Sequence, residues 1–311
     1  MSDLLDSQKA SQQAEAGITN ERPSWLKYLE DSMEEEKDEL YPRTAHWEIV
    51  RDLLLASEAD DITVPKATQR LYDDYIAEFS DERCIRQPPE YGAGGVLNSI
   101  SAIVFDMVTE LTFTDPKHDT LSKFLISVAK NAATEFDIEH PRFVYHSWGI
   151  QVATRESWDA YHADSRPPGE EGPVVVKAID TWLSVAALIA KLFQADLLEE
   201  YGPLWVRADF ERAFETRTEG DVTKDPIRQA QILTTANYIL LAGEAFAGEA
   251  KRPPPKERWY ELNATKWKFW ASKLQEVAET VGDDALGNLK HRAQEAHDKM
   301  VELYPEAFNT Q

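Results

Sequence analysis

The spacing of apolar residues is the feature that most restricts how this chain can fold. Along most of its 311 residues, apolar side chains recur at steps of three and four, which places them on one face of an α-helix. The segment Asp283–Leu303 carries one such stripe. Its members are Ala285, Leu286, Leu289, Ala293, Ala296 and Met300. No stretch sustains the two-residue alternation of a half-buried strand. The sequence therefore predicts an all-α protein of about ten or eleven packed helices.

Composition along the chain suggests how the helices are divided. Residues 1–22 are rich in Ser, Gln, Glu and Ala and have few side chains to bury, so we expect a disordered N-terminal tail. Residues 23–311 are predicted to form a single helical domain. The stretch 164–173 contains Pro167, Pro168, Gly169 and Gly172, and a subdivision of the domain at this break is possible on sequence grounds.

The charge balance restricts the partners of the protein. The formal net charge is −23, which disfavours nucleic acids and anionic membrane surfaces. An anionic substrate would need metal ions or a local basic patch to bind. Cys84 is the only cysteine, so an intrachain disulfide and a cysteine-rich metal site are both excluded. A polar, acidic N-terminus and the lack of a long apolar run predict no signal peptide and no membrane span, and therefore a cytoplasmic protein.

Two predicted helices place polar side chains on an apolar face. In Pro226–Ala250, Asn237 and Glu244 are seven residues apart and share a stripe with leucines. Asp196 and Glu200 continue the apolar face of the preceding long helix near its C-terminus, where a carboxylate needs a neighbouring cation. Together these four residues are a chemically sensible Mg²⁺ set. The alternative is that Asp196 and Glu200 reach water and that Glu244 pairs with a basic residue.

A lysine on the last predicted helix is the other candidate. Lys290 follows Leu286 by four residues and lies on the shoulder of the apolar stripe. By itself, such a lysine usually extends its ammonium group to water.

Several segments resemble a known family. They are Trp182 with Ala187 and Leu192, LWVRADFERAFE (Leu204–Glu215), ANYILLAG (Ala236–Gly243) and TKWKFWASKLQEVAE (Thr265–Glu279). They are similar to the fungal family of unknown function numbered 3632 and, within it, to fungal humulene synthases that lack the usual aspartate-rich motifs. This resemblance implies a helical bundle like that of class I terpene cyclases. It also implies a diphosphate-binding lysine with a Leu or Met one turn earlier, which Lys290 and Leu286 match.

The function that this resemblance implies is a Mg²⁺-dependent sesquiterpene cyclase acting on farnesyl diphosphate. Two Mg²⁺ ions and Lys290, aided by Arg155, would hold the diphosphate. Leu286 would line the pocket with three aromatic residues, Trp182, Trp267 and Trp270, because an aromatic face stabilises a carbocation. At helical spacing the tryptophans are equally explained as core. A helical interaction protein and a metal-free cyclase or isomerase are the alternatives, and a homodimer stays possible.

Overall fold

A computed structural model describes most of the chain. The described residues are 22–39, 42–56, 61–79, 93–136, 138–139, 141, 148–161, 173–198, 201–253 and 261–309. The predicted disordered tail, apart from Arg22, lies outside these ranges, and so do Glu200 and nearly all of the predicted break at 164–173.

The prediction of an all-α protein is confirmed. The described residues form twelve α-helices, eleven of them long, and contain no β-strand. The helices are α1 Ser24–Glu35, α2 Thr44–Leu55, α3 Thr63–Phe79, α4 Ala93–Val108, α5 Pro116–Glu135, α6 Trp148–Ala160, α7 Pro173–Gln194, α8 Tyr201–Glu211, α9 Pro226–Lys251, α10 Ala264–Thr280, α11 Leu289–Leu303 and α12 Glu306–Asn309. Within the part of the chain that the structure describes, no helix has the length and apolarity needed to cross a bilayer.

Side-chain caps fix the start of the helices that matter most for the site. Asp115 accepts a hydrogen bond from the Lys117 backbone N–H at 2.8 Å at the start of α5. Asp225 does the same for Ile227 at 3.0 Å at the start of α9. In both helices a proline occupies the first turn, where its missing N–H costs nothing. Local sequence therefore sets where α5 and α9 begin.

The longest helix, α9, is at the centre of the C-terminal half. It packs against α7, α8, α10 and α11, while α4 packs against α5 and α6. The buried apolar side chains form one continuous core from Trp25 to Ala307. Contacts such as the hydrogen bond from Ser184 to the Leu111 carbonyl, 2.7 Å, join the two halves of the chain.

The last long helix is shorter than its apolar stripe predicts. It begins at Leu289, not at Asp283, because Gly287 and Asn288 have left-handed φ values of 55° and 60°. A short 3₁₀ turn from Leu286 to Asn288 precedes it. The backbone therefore changes direction between Leu286 and Lys290, and these two residues are not one turn apart on a single helix.

Candidate functional site

A groove between α5, α7 and α9 is lined by three lysines. Its volume is about 330 Å³. It is lined by Asp119, Ser122, Lys123, Ile126, Lys130, Lys191, Gln194, Ala195 and Leu241. Three lysines thus surround an apolar wall of Ile126, Ala195 and Leu241. We call this depression the lysine groove.

The lysines of the groove differ in how their charges are neutralised. Lys191 forms an ion pair with Asp119. Lys123 and Lys130 lie on the exposed side of α5 and form no ion pair with any described residue. On a chain of net charge −23, these two lysines bring two positive charges that no described carboxylate neutralises into one groove. The groove is therefore a local site of positive potential that favours an anionic ligand.

A buried histidine holds Lys191 in place. His118 on α5 is fully buried, and its Nε2 donates to the Ser184 carbonyl at 2.9 Å. Its Nδ1 accepts from the Lys191 ammonium group at 2.9 Å. Burial, with a smaller effect from the Lys191 charge, lowers the pKa of His118 to about 4. His118 is therefore neutral near pH 7 and positions the Lys191 ammonium at the edge of the groove.

The structure does not bring the four predicted metal ligands together. Asp196 is exposed in the turn after α7, with a φ of 63°. Glu244 is also exposed, and its Oε2 accepts from the Gln194 side chain at 3.3 Å. Asn237 is 2% exposed, but its Oδ1 accepts from Arg292 Nε at 2.7 Å. Glu200 lies outside the described residues.

The three described positions, Asp196, Asn237 and Glu244, are not assembled into a Mg²⁺ site. Among the described residues, no group of three or more His, Cys, Asp or Glu side chains could hold a metal. The amide oxygen of Asn237 is bound to a guanidinium group, whose charge repels a cation. The prediction that Glu244 shares the buried face of α9 is wrong. The helix α9 is buried almost all round from Arg228 to Ile239, but after Leu241 only the side that carries Ala242, Phe246 and Ala247 is buried, and Glu244 lies on the other side.

Lys290, the diphosphate-binding lysine that the resemblance implies, does not line the lysine groove. Lys290 donates to Asp283 at 2.7 Å, and 44% of its side chain is exposed. The backbone N–H of Leu286 donates to Gln229 Oε1 at 2.9 Å, which places this turn beside the first part of α9. Gln229 and Glu244 are separated by roughly 22 Å of helix at 1.5 Å per residue. Lys290 therefore lies near the start of α9 and donates to Asp283, and no described contact joins it to Glu244.

The aromatic candidates belong to the core. Trp267 and Trp270 are fully buried, and their indole N–H groups donate to the Met300 carbonyl at 3.0 Å and to Glu215 at 2.8 Å. Both pack against Phe246, and Trp182 is also buried. The core explanation of these tryptophans is the one that the structure supports.

Arg155 is exposed on α6 and contacts neither Lys290 nor the lysine groove in any described interaction. Its predicted role as a second cation beside Lys290 is therefore not supported by its position.

One buried polar cluster was missed by the sequence interpretation. Asp209, in the segment that resembles the family, is buried and accepts from Tyr238 at 2.9 Å, Trp158 at 3.2 Å and Arg212 at 3.0 Å. Burial raises the pKa of the Asp209 carboxyl group. A π-helical turn, Arg212–Thr216, follows directly. The cluster braces α6, α8 and α9 against one another.

The lysines of the groove were also missed. Lys123 and Lys130 are seven residues apart on α5, so a shared helical face could have been seen in the sequence. That Lys191 and Leu241 lie opposite them is decided only by the packing of α7 and α9.

Comparison with known proteins gives one family and no characterised relative. No curated protein and no solved structure matches the chain. Residues 102–274 match the family described as "Protein of unknown function (DUF3632)". The matched region runs from α4 to α10 and includes the lysine groove and the Asp209 cluster. Because it covers more than half of the chain, this protein belongs to the DUF3632 family.

Proposed function

We propose that this protein binds a small anionic molecule with an apolar portion in the lysine groove. The observation that carries the proposal is the pair Lys123 and Lys130, two cations without ion-pair partners among the described residues, beside an apolar wall. The ammonium groups attract the anionic end of the ligand. Ile126 and Leu241 supply contacts for its apolar end.

An isoprenoid diphosphate is the ligand that we propose, because it combines a multiply charged head with a hydrocarbon chain. It is also the ligand class that the resemblance to humulene synthases implies. A groove of about 330 Å³ lies near the lower end of the range for small-molecule sites, so it accommodates the head and the first part of the chain.

Cyclisation of farnesyl diphosphate to a macrocyclic hydrocarbon such as humulene is the activity that we propose for this site. Cleavage of the C–O bond leaves the electron pair on the diphosphate oxygen and an allylic cation on the hydrocarbon, which closes the ring and loses one proton to the released diphosphate. The positive charges of Lys123 and Lys130 attract the negative charge of the diphosphate and stabilise it. We base no step on protein-bound Mg²⁺, because the described carboxylates do not form a ligand set for it.

The test of binding is titration of the protein with farnesyl diphosphate by isothermal calorimetry. The double variant Lys123→Ala/Lys130→Ala should bind at least about tenfold more weakly, a loss of roughly 1.4 kcal/mol. Its matched control is Lys27→Ala/Lys268→Ala, which removes the same charge from exposed sites outside the groove. Equal affinities of the two double variants would contradict the proposal.

The variant Lys290→Ala separates this site from the one implied by the resemblance. Lys290 is paired with Asp283 and does not line the groove, so we expect its removal to leave affinity unchanged within a factor of about two. A large loss of affinity in Lys290→Ala would favour a diphosphate site at the start of α11 instead.

Turnover needs a separate assay. Protein incubated with farnesyl diphosphate and Mg²⁺ should release diphosphate and a hydrocarbon detectable by gas chromatography with mass spectrometry. Binding without either product would restrict the function to ligand binding. Absence of binding and of turnover would favour the alternative, a helical interaction protein.

A further inference from the structure

The side chain of Asn237 has an unsatisfied donor in the protein interior. Asn237 lies in the middle of α9 and is 2% exposed. Its oxygen accepts from Arg292 Nε, but its Nδ2 has no hydrogen-bond partner among the described residues. Buried polar groups are nearly always paired, because an unpaired donor has lost its water without replacement. An acceptor other than the described residues is therefore expected beside this amide.

Arg292 likewise has N–H donors without an acceptor among the described residues. This residue on α11 is half-buried, and its guanidinium carbon lies 5.3 Å from the centre of the Phe113 ring. Its Nε is used by Asn237, and its terminal nitrogens form no ion pair or hydrogen bond with any described residue. Glu295 is the acid whose charge influences it, but the two form no ion pair. Arg292 is thus a partly desolvated cation whose terminal N–H donors have no described acceptor.

We propose that Arg292 and Asn237 form a binding subsite for an oxyanion, a carboxylate or phosphate group of a small molecule. Guanidinium groups bind such anions through two parallel N–H donors. The Nδ2 of Asn237 supplies a third donor, because its Oδ1 is already bound to Arg292 Nε. The half-buried ring of Phe113, in the turn before α5, borders this subsite. A cation in place of the anion is disfavoured by the charge of Arg292.

The subsite differs in its residues from the lysine groove and does not rest on the proposed function. Its residues come from α9, α11 and the turn before α5, and none of them lines the groove. Asn237 and the groove residue Leu241 are, however, one helical turn apart on α9. The same phosphate ion could therefore bind at either place, and the experiment has to separate the two.

The experiment measures the thermal unfolding midpoint in phosphate, pyrophosphate or acetate, each against chloride at equal ionic strength. At saturation, the oxyanions should raise the midpoint of the wild-type protein by about 2 °C or more. Arg292→Gln should lose this increase. The matched control Arg155→Gln, which removes one exposed arginine charge, should retain it.

Asn237→Asp gives a second and sharper test. The new carboxylate neutralises the guanidinium charge, and its second oxygen replaces the NH₂ donor that the anion would use. We expect a higher midpoint in chloride and no further increase with phosphate. This variant also keeps the test decisive if Arg292→Gln fails to fold.

The lysine variant Lys123→Ala/Lys130→Ala distinguishes the two sites. An oxyanion response that persists in this variant and disappears in Arg292→Gln supports the subsite, whatever the fate of the lysine groove. The inference is overturned if the oxyanions have no effect beyond that of chloride, or if only the lysine variant loses the response. A response of equal size in the wild type and Asn237→Asp also overturns it.

Discussion

Acidification should destabilise this protein mainly through the buried histidine His118. Its Nε2 donates to the Ser184 carbonyl and its Nδ1 accepts from Lys191, so the buried ring has no place for a second proton. The pKa falls from 6.5 to about 4, chiefly because burial removes water from the ring and also because Lys191 is positively charged. In the unfolded chain the histidine protonates at its ordinary pKa.

The sign and size of the effect follow from this difference. Because the pKa of the folded state is depressed, the stabilising contribution of His118 is complete above pH 6.5 and is lost as the pH falls towards 4. Between pH 7 and pH 5, linkage predicts a loss of about 2 kcal/mol in the free energy of unfolding. This loss is a large fraction of the stability of an ordinary domain.

The assay is urea denaturation followed by tryptophan fluorescence at pH 7 and pH 5, using the nine tryptophans of the chain. His118→Gln removes the titrating group, so its free energy of unfolding should depend less on pH by about 2 kcal/mol over this interval. His291→Gln is the control, because His291 is exposed. Comparison of variants also cancels the contribution of His46, whose pKa is likewise lowered by burial. The same pH dependence in wild-type protein and His118→Gln would refute the reasoning.

Two further predictions concern the backbone and the buried acid. Gly287→Ala should lower the free energy of unfolding by at least about 1–2 kcal/mol, because φ is +55° and the new Cβ would lie 2.6 Å from Leu233 Cδ2. Gly248→Ala should instead stabilise the protein by about 0.5–1 kcal/mol, because this helical site has no atom within 4 Å of the new Cβ. If the two substitutions shifted the midpoint of denaturant unfolding in the same direction, this contrast would be contradicted. Asp209→Asn should cost more stability than Tyr238→Phe, itself about 1–3 kcal/mol, because an amide NH₂ group would face donors where the carboxylate accepts from three side chains. A neutral effect of Asp209→Asn in the same unfolding assay would mean that this carboxyl group is protonated in the folded protein.

Local sequence determined the helices themselves. The apolar stripes, the prolines of the first turns and the capping residues Asp115 and Asp225 act within a few residues of chain, so α5 and α9 could be placed without tertiary information. Two helix ends were predicted wrongly: α7 ends at Gln194, so Asp196 lies in the turn after it, and α11 starts only at Leu289. Periodicity alone did not reveal that Gly287 and Asn288 leave the helical region.

The candidate site depended on tertiary structure. A helical wheel put Asn237 and Glu244 on one face, but neighbouring helices cover that face only around Asn237, where α11 brings Arg292 to it, and leave Glu244 exposed. Likewise, the sequence could show that Lys123 and Lys130 share a face of α5. It could not show that they border an apolar groove.

The sequence by itself therefore determined that this chain is helical, acidic and able to bury one large core, because these properties follow from composition and from contacts between near neighbours. Only the tertiary structure decided which polar side chains meet. Charges such as those of Lys191, Asp119 and Arg292 interact through space, and helix packing sets those distances independently of the separation along the chain.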